Sequence, residues 1–259
     1  MLELGVLTLN WLQALMLPMT RITGFFIAAP IFSQAAATGR VRVVFAALLS
    51  IAVLPVLPTS LSDPGRPFGE PTLLLLLNEA LIGVSMGLAL QFVAAAVTTA
   101  GEHISMSLGL SFAQSFDPTI GSTPVLSQFL NLMSLLVFLT ADGHAVVISM
   151  MTESIRTLPP GEFRLADVNA LLEFSRVVFN GAALLAAPLL LALLAVNIGV
   201  GALSRATPQL NVFAVGFAVS LLLGFSLLFL LVPVIAERIT ELWQQAEAFM
   251  RARLSVGES

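Results

Sequence analysis

The chain has 259 residues, 58% of them hydrophobic and only 10% charged, with a formal net charge of −4. Counting its 18 glycines, about 65% of the chain is apolar, against roughly 45–50% in soluble domains, and its mean hydropathy is +0.98. A water-soluble domain of this length has too few polar side chains to cover that much apolar surface, which leaves an integral membrane protein.

The polar residues narrow the chemistry further. All 11 basic residues are arginine, so Schiff-base and P-loop lysine chemistry have no lysine to work with. Without cysteine there is no disulfide framework, thiolate nucleophile or iron–sulfur ligand set. Two histidines and no cysteine point away from a zinc site, and no basic run offers itself to nucleic acid. No spacing of Ser, His and Asp picks out a catalytic triad. A non-enzymatic protein without metal or cofactor is the expectation.

Six apolar stretches approach the roughly 20 residues that a helix needs to cross a bilayer: 11–32, 41–58, 72–100, 124–151, 172–203 and 212–236. They are continuous runs, such as Leu73–Leu77, rather than the alternating segments of a β-barrel, so the class is all-α and polytopic. The first arginine is Arg21, so the first stretch lacks the basic flank of a signal peptide and is expected to remain in the chain. Arg66, Arg156, Arg164, Arg238, Arg251 and Arg253 fall on one side of such a topology. Arg40, Arg42 and Arg205 fall on the other, a bias that leans toward both termini inside.

Within the first stretch Arg21 follows Pro18, and an arginine at bilayer depth calls for a partner or a polar path. Pairing with a carboxylate, or with carbonyls freed near Pro18, competes with a role on a substrate path. In the third stretch Glu79, Gly83, Gly87 and Gln91 recur every four residues and wind slowly along one face. The G-x-x-x-G within it permits close helix–helix approach, inside the chain or, as favoured here, at a subunit interface. Residues 101–123 read as a long loop rich in Ser, Gly and Phe. In the fourth stretch Asp142-Gly143-His144 reads either as a proton relay or as a helix break at Gly143. Gly216, Ser220 and Gly224 repeat the small-residue ladder in the sixth stretch. From 237 to 254, Ile239, Leu242, Trp243, Ala246, Phe249 and Met250 fall at helical spacing opposite charged residues. That amphipathic tail is expected to lie on the membrane surface or on a partner.

Two stretches are specific enough to carry a resemblance. One is Ala100-Gly101-Glu102-His103-Ile104, with Gly109-Leu110-Ser111-Phe112-Ala113 and Asp117-Pro118 after it. The other runs from Leu203 through Arg205, Pro208, Gln209 and Asn211 to Val215-Gly216-Phe217. With Asp142-Gly143-His144 they make the chain resemble the FliR family of the flagellar type III export apparatus, over its whole length and in motif order. Where FliR-like sequences often carry a glutamine before Gly-Leu-Ser-Phe, this chain has Met106-Ser107-Leu108.

The resemblance implies a place in the export gate of the bacterial inner membrane, within the flagellar basal body. There, FliP-like and FliQ-like subunits would join it in a pore for unfolded flagellar proteins, with FlhA-like and FlhB-like components nearby. It implies a FliP-like part over 1–165, a FliQ-like helical hairpin over 166–236, and the tail 237–259. It makes loop 101–123 the plug, with Met106, Leu108, Leu110, Phe112 and Phe116 as its apolar bulk. Independently, an apolar and deformable constriction suits a pore that must seal against ions yet yield to a polypeptide. Arg205, Pro208, Gln209 and Asn211 would form the turn between the last two spans, with Asn211 capping the helix after it. A proton- or ion-coupled secondary transporter using Glu79, Asp142 and His144 is the competing function.

Overall fold

A computed structural model describes residues 2–30, 39–53, 70–110, 123–158, 165–206 and 212–255. Every regular element among them is an α-helix: α1 (Leu2–Ala28), α2 (Gly39–Val53), α3 (Glu70–Ser107), α4 (Val125–Thr140), α5 (Gly143–Thr157), α6 (Leu165–Phe174), α7 (Arg176–Ala206) and α8 (Val212–Ser255). The unbroken apolar runs of the sequence give this result, since a bilayer leaves backbone groups no partner but their own helix. Three helical stretches, Leu73–Ser107, Val168–Ala202 and Gly216–Ala252, are long and apolar enough to cross a membrane. A fourth follows if α4 and α5 count as one broken span. The chain is thus a polytopic helical membrane protein, although α2, at 15 residues, is shorter than a bilayer requires.

The helices depart from the expected segments at four places. The stretch 101–123 is not loop from its start, because α3 runs on to Ser107 and ends in a turn over 108–110. Leu110 N–H donates to the Ser105 carbonyl at 3.0 Å, and Gly109 takes φ 76°, the left-handed conformation that lets a chain leave a helix. The fourth segment is two helices, not one. Its break is made by Asp142 at φ 54°, ψ 26° rather than by Gly143. Asp tolerates the left-handed region better than most side chains, and its carbonyl starts α5 by accepting from Ala145 and Val146 at 2.9 and 3.1 Å. The fifth segment is interrupted at Ser175, whose hydroxyl turns back onto the Leu172 carbonyl at 2.6 Å. Finally, the tail is no separate element. It continues α8, which at 44 residues is about 66 Å long, twice the thickness of a hydrocarbon core.

The chain forms two compact units whose segments interleave along the sequence. The first comprises Met1–Phe92, Asp142–Ser175 and Gln245–Ser259. Its core lies along α1 and α3 and includes Ile22, Phe25, Phe26, Ile82 and Leu90. Phe174 of α6 stacks on Phe249 at 4.5 Å between ring centroids and lies 6.5 Å from Phe92. The second unit comprises Val93–Ala141 and Arg176–Gln244. There Val93, Ala96, Val97, Ala100 and Ile104 of α3 are fully buried, as are Leu189 and Leu193 of α7.

The apolar face of the tail is covered by the chain itself, not left for a membrane surface or a partner. Ile239, Leu242, Trp243, Ala246 and Met250 are all buried. In the second unit the Trp243 indole N–H donates to Ser134 Oγ at 3.1 Å, and its ring lies 4.8 Å from Phe138. The opposite face carries the exposed ion pair Arg238–Glu241, and further along the tail, in the first unit, comes Arg251–Glu247. Each spans one helical turn, at three and four residues, and adds little stability of its own.

Candidate functional site

The polar and small residues of the apolar segments gather in two places, one in each unit. In the first unit, Arg21 lies inside α1 with 1% of its surface exposed and Glu79 inside α3 with 2%. Their pairing is bidentate: Arg21 Nε donates to Glu79 Oε2 at 2.6 Å and Nη2 to Oε1 at 2.8 Å. Arg21 Nη1 donates to Ser154 Oγ at 2.9 Å and to the Ser154 carbonyl, and Nη2 reaches the Leu158 carbonyl at 3.2 Å. Of the readings open for Arg21, the structure supplies the carboxylate partner. The carbonyls it reaches belong to the C-terminal end of α5, not to the turn around Pro18. They lie at the negative end of that helix, where a guanidinium is favourably placed.

The glycines explain how the two helices come close enough. A Cβ on Gly83 would run into the Arg21 carbonyl, with the Arg21 carbonyl carbon at 2.8 Å and Phe25 N at 3.0 Å. One on Gly87 would meet Phe25 O and Ala28 Cβ at 2.7 Å. In return, a Cβ on Gly24 of α1 would lie 2.6 Å from the Ala80 carbonyl oxygen. The pairs advance together along both helices, so α1 and α3 run parallel with their backbones in contact. The neighbour of the G-x-x-x-G stripe is therefore α1 of the same chain and not the subunit interface expected from the sequence. Gln91, at the end of the stripe, keeps its Oε1 buried without a hydrogen-bond partner among the described residues.

In the second unit α7 and α8 form an antiparallel hairpin. A Cβ on Gly216 would sit 3.0 Å from Val200 Cγ1, and one on Gly224 would sit 3.1 Å from Leu193 Cδ2. Ser220 Oγ bonds to Asn197 Oδ1 at 3.1 Å. As the α8 number rises, its α7 partner falls. Leu108 also presses on Gly224, and with 1% of its surface exposed it is a packing residue. Of the other plug candidates, Met106 is 65% exposed and Leu110 lies in the turn that closes α3. Phe112 and Phe116 fall outside the described residues, as do Pro208, Gln209 and Asn211 of the expected hairpin turn. Arg205 is exposed in the last turn of α7.

The outer face of this hairpin is bare. On α7, Phe179, Leu191 and Ile198 are 65–75% exposed, and on α8 Leu222, Phe229 and Leu230 are 70–78% exposed. Asp142 and His144 are exposed as well, and no hydrogen bond joins their side chains to each other or to Glu79. The three residues of the transporter reading are thus not brought together. Among the described residues no group of His, Asp and Glu is arranged to hold a metal.

The residues of these contacts differ in how far the sequence marks them. Gly24 and Ala28 are a small-residue pair at spacing four on α1, legible in retrospect as the counterpart of Gly83 and Gly87. Gly101 packs its α-carbon against Ser127, whose Oγ bonds the Thr98 carbonyl at 3.1 Å. Ser154 stands in an ordinary Thr-Glu-Ser run and gives no signal.

A family model described as bacterial export proteins, family 1, matches residues 12–246. The chain is 37% identical to the flagellar biosynthetic protein FliR of Pectobacterium carotovorum over 230 residues, 87% of each chain. It is also 37% identical to FliR of Escherichia coli K12, over 88% of this chain and 87% of that one. To FliR of Buchnera aphidicola from Acyrthosiphon pisum it is 33% identical, over 96% and 99%.

Proposed function

The chain belongs to family 1 of the bacterial export proteins, and from that premise we propose that it serves as a non-enzymatic, multi-pass subunit of the flagellar export apparatus in the inner membrane. More finely, it joins FliP-like and FliQ-like subunits in a pore through which unfolded flagellar proteins leave the cell, beside FlhA-like and FlhB-like components. Residues 1–165 supply the FliP-like part and 166–236 the FliQ-like hairpin.

The observation that carries this reading is the bare outer face of the α7–α8 hairpin. In the most apolar windows of these helices only 22% and 17% of residues are buried. Such a face is completed by other apolar helices or by lipid, and a stack of similar hairpins covers it with the same side chains that it offers. Closure of the pore falls to the segment that follows the turn at 108–110. Leu108, wedged on Gly224, anchors its near end, and Phe112 and Phe116 provide apolar bulk.

The test is native-mass analysis after mild detergent extraction, with FliP-like and FliQ-like subunits co-expressed. A hetero-oligomer containing this chain is expected, whereas a monomer or a homo-oligomer contradicts the reading. For the plug, deleting 111–116 raises the ion conductance of membranes holding the complete gate, and unchanged conductance removes that assignment.

A further inference from the structure

Every donor of the Arg21 guanidinium is occupied. A guanidinium carries five N–H groups, and Arg21 places them on Glu79 Oε2, Glu79 Oε1, Ser154 Oγ, the Ser154 carbonyl and the Leu158 carbonyl. With no N–H left over and 1% of its surface exposed, Arg21 has nothing to offer a passing ion or polypeptide. Its chemistry is internal to the chain.

The geometry also fixes which residue must be present for Arg21 to be tolerated. Its backbone lies against Gly83. Helical side chains lean toward the helix N-terminus, and in the parallel α1 and α3 that direction leads from Gly83 back one turn to Glu79. The α1–α3 contact and the ion pair are therefore one register. The acceptors, however, lie far along the chain: Glu79 comes 58 residues after Arg21, and Ser154 and Leu158 come 133 and 137 after it. When α1 is synthesised its arginine has none of them, and an unpaired arginine deep in an apolar helix disfavours release into lipid.

We propose that the Arg21–Glu79 pair is an insertion latch. Helix α1 is withheld from the hydrocarbon until α3 delivers Glu79, and the carbonyl end of α5 then completes the site, so that α1, α3 and α5 settle as one body. Glu79 is in this sense a positioning residue for α1. The inference rests on the chain being a membrane protein and not on its place in an export gate.

The absence of cysteine makes the test direct, because a single introduced thiol is unique. Met19→Cys, half-buried and two residues from Arg21, is placed in the full-length chain, expressed without partner subunits and treated with a membrane-impermeant maleimide. The latch predicts labelling in the Glu79→Gln background at least fivefold above the Met19→Cys parent. It predicts labelling within twofold of that parent for Arg21→Gln/Glu79→Gln, because removing the arginine removes the need for its partner. A pair that forms only after insertion gives a different result: α1 is shielded in Glu79→Gln as in the parent, and only the lifetime of the chain shortens. Labelling of Glu79→Gln less than fivefold above the parent, or a double variant labelled as strongly as Glu79→Gln, overturns the proposal. Because no partner is present, the outcome is independent of whether the chain assembles into a gate.

Discussion

The α1–α3 contact and the α7–α8 hairpin both rest on small residues at spacing four, yet they solve different problems. On α3 the glycines bring backbone against backbone and carry a buried ion pair with them, and half of the most apolar window of that helix is buried within the chain. On α8 the ladder meets only side-chain tips, Val200, Leu193 and Leu108, and a single Asn197–Ser220 bond. The first contact is complete. The second joins two helices and leaves their outer faces for something else to cover. A small-residue ladder alone does not say which of these it is, whereas a charged residue beside it does. A buried charge must be matched for the chain to be stable, and all the partners of Arg21 lie in this chain.

Filling the glycines separates the two contacts most strongly. Gly83→Leu forces a side chain into the Arg21 carbonyl and displaces the backbone that aligns Arg21 with Glu79. A loss of about 3 kcal/mol or more is expected, near the upper end for overpacking, seen as early thermal unfolding in detergent. Gly216→Ala, by contrast, meets a single side-chain methyl at 3.0 Å, which has to give by only a few tenths of an ångström, and alanine favours the helix. Its effect is expected within about 0.5 kcal/mol. Equal losses at the two positions would erase the distinction between backbone and side-chain contact.

Between these limits lie two changes that sharpen the boundaries of each region. Trp243→Phe keeps the ring against Phe138 but strands Ser134 Oγ, and a loss of about 1 kcal/mol is expected in the same melting experiment. Asp142→Gly removes the cost of a left-handed conformation for a residue with a Cβ. A gain of about 1 kcal/mol is expected, less whatever Asp142 contributes at the positive end of α5. A loss of stability instead would mean that the carboxylate's attraction to the positive end of α5 outweighs the cost of the left-handed conformation.

Much of this was legible beforehand, and the omissions have a common cause. Hydropathy located the apolar helices because a bilayer makes apolar length unambiguous. Arg21 and Glu79 stood out singly because both are costly at that depth, but their pairing across 58 residues has no local mark. Spacing marks the tail as amphipathic from Ile239 to Met250, yet periodicity tells which face is apolar and not what covers it. Over Trp243 the cover is Ser134 and Phe138, and over Phe249 it is Phe174. The break at 142 was visible as Asp-Gly, and the glycine was the natural residue to bend. Asp142 bends instead, since it too tolerates positive φ while Gly143 is left to pack in a buried position.

The α1–α3 contact is closed within the chain, and under the proposed function other subunits cover the hairpin's outer face. Single cysteines at Phe229, 78% exposed on α8, and at Phe25, 2% exposed on α1, test both halves in one experiment. Each full-length variant is extracted in mild detergent, alone or with FliP-like and FliQ-like subunits, and its labelling by a small maleimide is followed. Phe229→Cys is expected to react when the chain is alone and to lose most of that reactivity in the complex, while Phe25→Cys stays unreactive in both. Phe229→Cys reacting equally in both states would contradict the account, and so would a Phe25→Cys that needs the partners to be shielded.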